Sequence, residues 1–186
     1  MLRRPADGAV LFAQRPAGKD MAGKWELPGG KIQSGEGLAD ALARELLEEL
    51  GVTVSASRPL IQLAHDYPDR RVVLHTREVD FEGEPRGLEG QAIAWTAPAH
   101  MAALDLLAAD APILTAIRLP ARYCVTPPDL EDGGAVAALV ERSRAAGVRL
   151  LQLRLPAAPQ ARLERLAASL AACIGRCGMR WLVGGA

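Results

Sequence analysis

Three glutamates on one short stretch, Glu45, Glu48 and Glu49, have the spacing to act on a common partner. At about 100° per residue in an α-helix they fall within an arc of roughly 100°, beside the arc of Leu42, Leu46 and Leu50. Carboxylates gathered in this way repel and raise one another's pKa, a cost that a bound cation removes. All-oxygen ligands select a hard ion, Mg²⁺ first and Mn²⁺ second, and no Cys or His lies near enough in sequence to argue for zinc. Arg44 adds a compensating positive charge and is placed to pair with an acidic neighbour such as Glu36. Ahead of these residues, Trp25-Glu26-Leu27-Pro28-Gly29-Gly30-Lys31 forms a turn with little side-chain bulk, so a backbone carbonyl can approach a metal.

These groups need a helix and a supporting sheet. The apolar residues Leu38, Ala39, Leu42, Ala43, Leu46 and Leu50 recur at helical spacing over 37–50, and Gly51 supplies the stop. Before this helix, 8–12 reads as a strand and 18–31 as an irregular loop. After it, strands are expected at 52–54, 60–64, 72–81 and 93–95, then short helices at 101–107 and 112–119. The whole predicts a mixed sheet with helices packed on it. A domain boundary falls near Pro120, giving segments 1–119 and 120–186. Past it the order is strand 123–126, helix 134–146, strand 149–155, helix 160–177 and strand 180–183, the alternation of a parallel α/β arrangement.

Composition narrows the partners. Among 186 residues, 22 Lys and Arg balance 22 Asp and Glu, so no basic field draws the chain onto nucleic acid or an anionic membrane. The expected partner is a small molecule. No apolar run reaches membrane-spanning length, and the opening Met1-Leu2-Arg3-Arg4-Pro5 lacks the apolar core of a secretory signal, which points to the cytoplasm. Cys124, Cys173 and Cys177 are expected to be buried, reduced thiols. The last two, four apart, suit small hydrophobes at least as well as a metal clip.

Gly30, Glu36 and the run Arg44-Glu45-Leu46-Leu47-Glu48-Glu49-Leu50-Gly51-Val52 resemble the Nudix box at every defining position. With average residue usage that combination arises at on the order of one in 10⁹ positions. The resemblance implies a Nudix fold, a mixed sheet sandwiched between helices. It also implies Mg²⁺-dependent cleavage of a nucleoside triphosphate to the monophosphate and pyrophosphate. Carried over, Glu48 and Glu49 would ligate metal, Glu45 would be ligand or base, and the Gly29 carbonyl would complete the shell.

The resemblance extends over roughly 3–119 and looks nearest to the MutT-type branch, which sanitises oxidised guanine nucleotides such as 8-oxo-dGTP in DNA repair. Arg15 matches a phosphate- or sugar-contacting arginine of that branch, and Tyr67-Pro68-Asp69-Arg70 matches its Phe-Pro-Asp-Arg turn. Glu89 matches an acidic residue that reaches the metal from a distant loop, although a solvated loop carboxylate has the same appearance in sequence. Gly30 and Lys31 join Arg15 and Arg70 as expected substrate contacts. Asp110 stands where the branch uses Asn to hydrogen-bond the oxidised purine. An ionised Asp only accepts, so the base code changes unless Asp110 is protonated. It has also the makings of a helix N-cap before Pro112. Leu27 replaces a stacking Phe, and Asp20 a His.

Other Nudix branches cleave ADP-ribose, NADH or dinucleoside polyphosphates, and Tyr67 and Pro68 do not discriminate among them. His65, His75 and His100 lie outside the box and are expected at the surface or in packing. Against the family pattern only Met1 to Arg3 remain of the first strand, which predicts an exposed sheet edge. Tyr123-Cys124-Val125-Thr126-Pro127 and Leu151-Gln152-Leu153-Arg154-Leu155 resemble the first two barrel strands of thiamine-phosphate synthase. The implied fold is an incomplete βαβαβ segment of a TIM-barrel-like domain. Gln152 and Arg154 match pyrophosphate contacts there, but Pro156 replaces a basic residue and Gly184-Gly185-Ala186 stands where polar ligands belong. A closed barrel needs about 200 residues, against 66 after Pro120, so synthase activity is not expected. A catalytic hydrolase and a non-catalytic nucleotide-sensing module remain; the intact carboxylates favour the first.

Overall fold

A computed structural model describes residues 1–120 and 122–184 and divides the chain into two units, Met1–Arg118 and Leu119–Ala186. The first unit runs β1 (Val10–Gln14), β2 (Trp25–Glu26), α1 (Leu38–Leu50), β3 (Thr53–Asp66), β4 (Arg71–Glu82) and β5 (Ile93–Thr96). Single 3₁₀ turns at Met101–Ala103 and Ala108–Asp110 then lead into α2 (Ala111–Arg118).

Alternation along β1 organises this unit. Successive side chains of a strand point to opposite faces. Val10 and Phe12 join Met1, Met101, Ile113, Leu114 and Ile117 in the core under α2. Leu11 joins Leu2, Leu46, Leu50, Val52 and Val79 in the core under α1. The strand is thus sandwiched between the two helices, and each large apolar side chain it buries contributes about 1.5–3 kcal/mol. β1 pairs antiparallel with β2 on one side and β5 on the other, while β3 and β4 form a long antiparallel hairpin.

Several expectations change. The strands foreseen at 52–54 and 60–64 are one strand, β3, whose register against β4 shifts between Val54 and Ala56 and between Pro59 and Ile61. Pro59 has no N–H to donate, and the irregularity beside it lets the ladder continue where a regular strand would break. Met1 to Arg3 do not leave an open edge at that point. Leu11 N–H donates to the Leu2 carbonyl and Val79 N–H to the Met1 carbonyl, both at 3.1 Å, so this short stretch stitches β1 to β4. The helix expected at 101–107 is only a 3₁₀ turn. Beyond it the Asp105 carbonyl accepts from Trp25 N–H (2.8 Å) and Leu107 N–H donates to the Trp25 carbonyl (3.1 Å), which keeps 105–107 extended beside β2.

The second unit is β6 (Tyr123–Val125), α3 (Gly133–Ala145), β7 (Leu150–Arg154), α4 (Gln160–Ile174) and β8 (Arg180–Gly184), with the parallel sheet order β6-β7-β8. Leu151 and Leu153 of β7 pack on Val136 and Val140 of α3 and Leu166 and Leu170 of α4. Asp132 caps α3 by accepting from Ala135 N–H at 2.9 Å. Contrary to the expectation of full burial, all three cysteines are free and half-buried. α4 stops at Ile174, three residues before Cys177, and Cys173 and Cys177 line a surface cleft with Arg144 and Arg176. Gly185 and Ala186 lie outside the described residues. No helix among the described residues is long and apolar enough to cross a membrane.

Candidate active site

α1 presents its acidic face because its apolar face is committed. Leu46 and Leu50 are fully buried, which fixes the rotation of the helix and turns Glu45 and Glu49 toward the Pro28-Gly29-Gly30 turn. Gly51, at φ 69°, ends the helix by donating its N–H to the Leu47 carbonyl at 3.0 Å. Glu49 therefore sits in the last turn, and Gly29 N–H donates to its Oε2 at 3.1 Å. A Cβ at Gly30 would stand 2.2–2.4 Å from the Glu45 carboxylate, so any side chain there displaces that carboxylate. Turn and helix close on each other at this point.

Glu45, Glu49 and Glu89 line one cleft of about 410 Å³ with Gly29, Gly30, Lys31, Arg15, Lys19, Glu26 and Gln91. Burial pushes the Glu49 carboxyl up to about 7 against the pull of the Gly29 N–H, and the charges of Glu89, Glu45 and Glu26 add to the rise. Glu48 is 56% exposed, does not line the cleft, and accepts from Arg44 at 3.2 Å. Arg44 is the hub of the turn. It grips Glu36 in bidentate fashion (2.8 and 3.0 Å), reaches Glu45 at 2.9 Å and donates to the Lys31 carbonyl at 3.1 Å. Its guanidinium, with the Gln33 N–H, holds the Glu36 carboxyl down at about 2.

In kind, the all-oxygen donors of this cleft suit a hard divalent cation: the Gly30 backbone lies close against the Glu45 carboxylate, and Glu49 shares the cleft with Glu26, Glu45 and Glu89. Among the described residues, no three His, Cys, Asp or Glu side chains converge tightly enough to hold one ion. Each carboxylate has a partner within the protein: Arg44 engages Glu45 and Glu48, Lys19 engages Glu89, and Glu49 takes the Gly29 N–H.

Three residues that sequence reasoning missed shape the site. Gln91 is buried; its Nε2 donates to the Glu49 carbonyl (2.9 Å) and its Oε1 accepts from Glu89 N–H (2.7 Å), tying the Glu89 loop to the end of α1. Gly87 is required because a Cβ there would meet the Gln91 carbonyl at 2.0 Å. Lys19 donates to Glu89 Oε2 at 2.8 Å across the cleft. Gly87 and Gln91 each stand two residues from Glu89, and Lys19 one before Asp20, all in loops without periodic signal, so none of the three was legible without the fold.

The expected substrate residues divide. Arg15 lines the cleft, held by Glu26 (2.8 and 2.9 Å) and the Asp20 carbonyl (2.6 Å). Asp20 and Arg70, 50 residues apart, pair at 2.9 Å, with the Arg70 guanidinium over the Tyr67 ring. Leu27 is half-buried and packs on the core under α2. Asp110 is 6% exposed, and its Oδ2 has no hydrogen-bond partner. Burial pushes its carboxyl up to about 7, opposed by the Leu27 N–H. No capping hydrogen bond from its side chain is found, so the N-cap reading has no support in the contacts. His65, His75 and His100 do not line the cleft; His65 packs edge-on to Tyr67.

A family model, the NUDIX domain, matches residues 1–116. The chain is 40% identical over 111 residues to the CTP pyrophosphohydrolase of Escherichia coli K12, covering 59% of this chain and 82% of that protein. It is 35% identical over 116 residues to the 8-oxo-dGTP diphosphatase of the same strain, covering 62% and 90%. Among solved structures it is similar to MutT, from a study of the Aliivibrio salmonicida and Vibrio cholerae proteins (TM-score 0.55, 30% identity, 62% and 90% covered). It is also similar to the E. coli ORF135 protein (TM-score 0.55, 38% identity, 62% and 82% covered). The glycine-cradled carboxylates of α1, the sandwich around β1 and this match over more than half its length agree: the chain belongs to the NUDIX family of hydrolases.

Proposed function

We propose that residues 1–118 form a Mg²⁺-dependent pyrophosphohydrolase that converts a nucleoside triphosphate to the monophosphate and pyrophosphate. The observation that carries this reading is the cleft in which Glu45, Glu49 and Glu89 crowd around the Gly29-Gly30 turn. Glu49, Glu89 and the Gly29 carbonyl would hold the cation, with Glu48 as an outer ligand; Mn²⁺ suits the same oxygens. When bound, the ion supplies charge neutralisation and alignment for the polyphosphate. Glu45, oriented by Arg44 and Gly30, is the base we assign to the attacking water. Arg15 and Lys31 contribute positive charge for the phosphates. Asp20 and Arg70 bound the nucleoside, and Leu27 offers an apolar surface to it.

Asp110 is assigned to the base. With a proton, its carboxyl offers a donor and an acceptor, as Asn does. That pair matches O6 and N7–H of 8-oxoguanine, which supports an oxidised guanine nucleotide as substrate; sanitation of such nucleotides for DNA repair, in the cytoplasm, is the role this reading would imply. A second reading, a cytidine triphosphate, has its own support. The same pair matches N3 and N4–H of cytosine, and a relative of comparable coverage is a CTP pyrophosphohydrolase. The second unit is read as an opening βαβαβ portion of a barrel similar to thiamine-phosphate synthase, on the strength of its parallel β6-β7-β8 order and the residues of β6 and β7.

The test is a Mg²⁺-dependent screen of the purified chain against 8-oxo-dGTP, CTP, dCTP, the canonical dNTPs, ADP-ribose and NADH. A preference for 8-oxo-dGTP or a cytidine triphosphate is expected. Preference for ADP-ribose or NADH overturns the triphosphate reading, and a folded chain inactive on all of them leaves the nucleotide-sensing module.

A further inference from the structure

Lys19 and Glu89 are separated by 70 residues yet meet at 2.8 Å inside the cleft that also contains Glu45 and Glu49. The two sides of this pair are held differently. Glu89 is fixed from behind, its N–H bound to buried Gln91, which is in turn bound to the last turn of α1. Lys19 lies on loop 15–24. That loop closes on itself through Arg15 N–H to the Lys24 carbonyl and Gly23 N–H to the Arg15 carbonyl, both at 2.9 Å. Both side chains are about half exposed, 53% for Lys19 and 44% for Glu89, so the pair is screened by water and readily exchanged.

The charges lining the cleft make that exchange consequential. Arg15 is committed to Glu26 by two hydrogen bonds and to the Asp20 carbonyl by a third. Lys19 differs: its partner is one of the carboxylates that a divalent cation needs. A cation and the Lys19 ammonium therefore compete for the Glu89 oxygens. A cation that wins leaves the ammonium at the mouth of the same cleft, where the anionic polyphosphate is the next available partner. An ammonium on a four-carbon stem can follow a phosphate as a mobile point charge.

We infer that Lys19 is a substrate-phosphate residue held in reserve on Glu89 and handed to the polyphosphate when a divalent cation takes that carboxylate. The inference rests on the reading of Glu89 as a metal ligand, and it gives opposite signs for metal and nucleotide, which a merely structural contact would not.

The test uses the full chain with Mn²⁺ alone, followed by electron paramagnetic resonance, and then an α,β-methylene nucleoside triphosphate in saturating Mn²⁺, followed by calorimetry. Lys19→Gln removes the competitor and should tighten Mn²⁺ about two- to fivefold. The same variant should weaken the analogue about tenfold. Lys19→Arg should keep both affinities near wild type, and an unchanged unfolding midpoint checks the fold of each variant. Glu89→Gln separates the two layers. If it leaves Mn²⁺ affinity unchanged, Glu89 is not a ligand and both the reading and the inference fall. If it weakens Mn²⁺ while Lys19→Gln moves neither affinity, or moves both in one direction, the ligand reading stands and the role of Lys19 is overturned.

Discussion

Replacing Asp110 by Asn should change how the stability of the first unit depends on pH. Asp110 is nearly inaccessible, one of its oxygens lacks a partner, and its carboxyl titrates at about 7 instead of its ordinary 3.8. The folded chain then retains a proton that the unfolded chain has lost between those two values. Stability falls as pH rises through that window and levels off above it. A displacement of that size corresponds to about 4 kcal/mol. Asn carries no such dependence. Its amide leaves donors unpaired, at a cost of about 1–3 kcal/mol, but that offset is the same at every pH. The quantity to read is therefore the difference between the two chains as a function of pH. Urea unfolding in a Trp181→Phe background, followed by Trp25 and Trp95 fluorescence, isolates the first unit. Measured from pH 4 to pH 8.5, the difference should swing by about 4 kcal/mol in favour of Asn. Parallel profiles, with a swing below about 1 kcal/mol, would refute the assignment of a buried, proton-holding Asp110.

Three further outcomes follow from the same geometry. Since a protonated Asp110 is the form that offers donor and acceptor together, wild-type kcat/KM on its preferred triphosphate should decline as pH rises past about 7, a decline that Asp110→Asn should lack. Gly30→Ala would push the Glu45 carboxylate off its position, and steady-state kinetics should show a loss of about 100-fold in kcat with the unfolding midpoint nearly unchanged. Arg44→Lys keeps the charge but loses the two-pronged grip on Glu36 and the bonds to Glu45 and the Lys31 carbonyl, so kcat should fall roughly tenfold or more without rescue by the retained charge.

How much of this was legible in the sequence depends on the range of the interactions. α1 and its stop at Gly51 follow from local periodicity and from one glycine able to adopt a positive φ, so the helix and the side-by-side placing of its apolar and acidic faces were readable in advance. β3 was not, because Pro59 reads locally as a strand breaker and only pairing with β4 shows that a register shift absorbs it. β2 is two residues long, held by β1 and by 105–107, and no two-residue strand has a pattern of its own. Within the site, the spacing put Glu48 on equal terms with its neighbours. The packing of Leu46 and Leu50 instead turns Glu45 and Glu49 into the cleft and leaves Glu48 outward with Arg44. Lys19 and Gln91 act through loops brought together over many residues, which local reading cannot reach. Asp110 was marked by position, but its burial and orphaned oxygen needed the fold.

In the proposed reaction the carboxylates of this cleft work on a polyphosphate through a divalent cation, with Glu49 at the centre. Its most direct test is the product of turnover, followed by ³¹P NMR for wild type, Glu49→Gln and Glu48→Gln, with Mg²⁺ and after its removal by chelator. Wild type should release monophosphate and pyrophosphate, and neither after chelation; Glu49→Gln should lose activity on the order of 1,000-fold, and the exposed Glu48→Gln much less. Turnover that survives chelation, release of a diphosphate and inorganic phosphate, or a folded Glu49→Gln chain as active as wild type would contradict the proposed reaction.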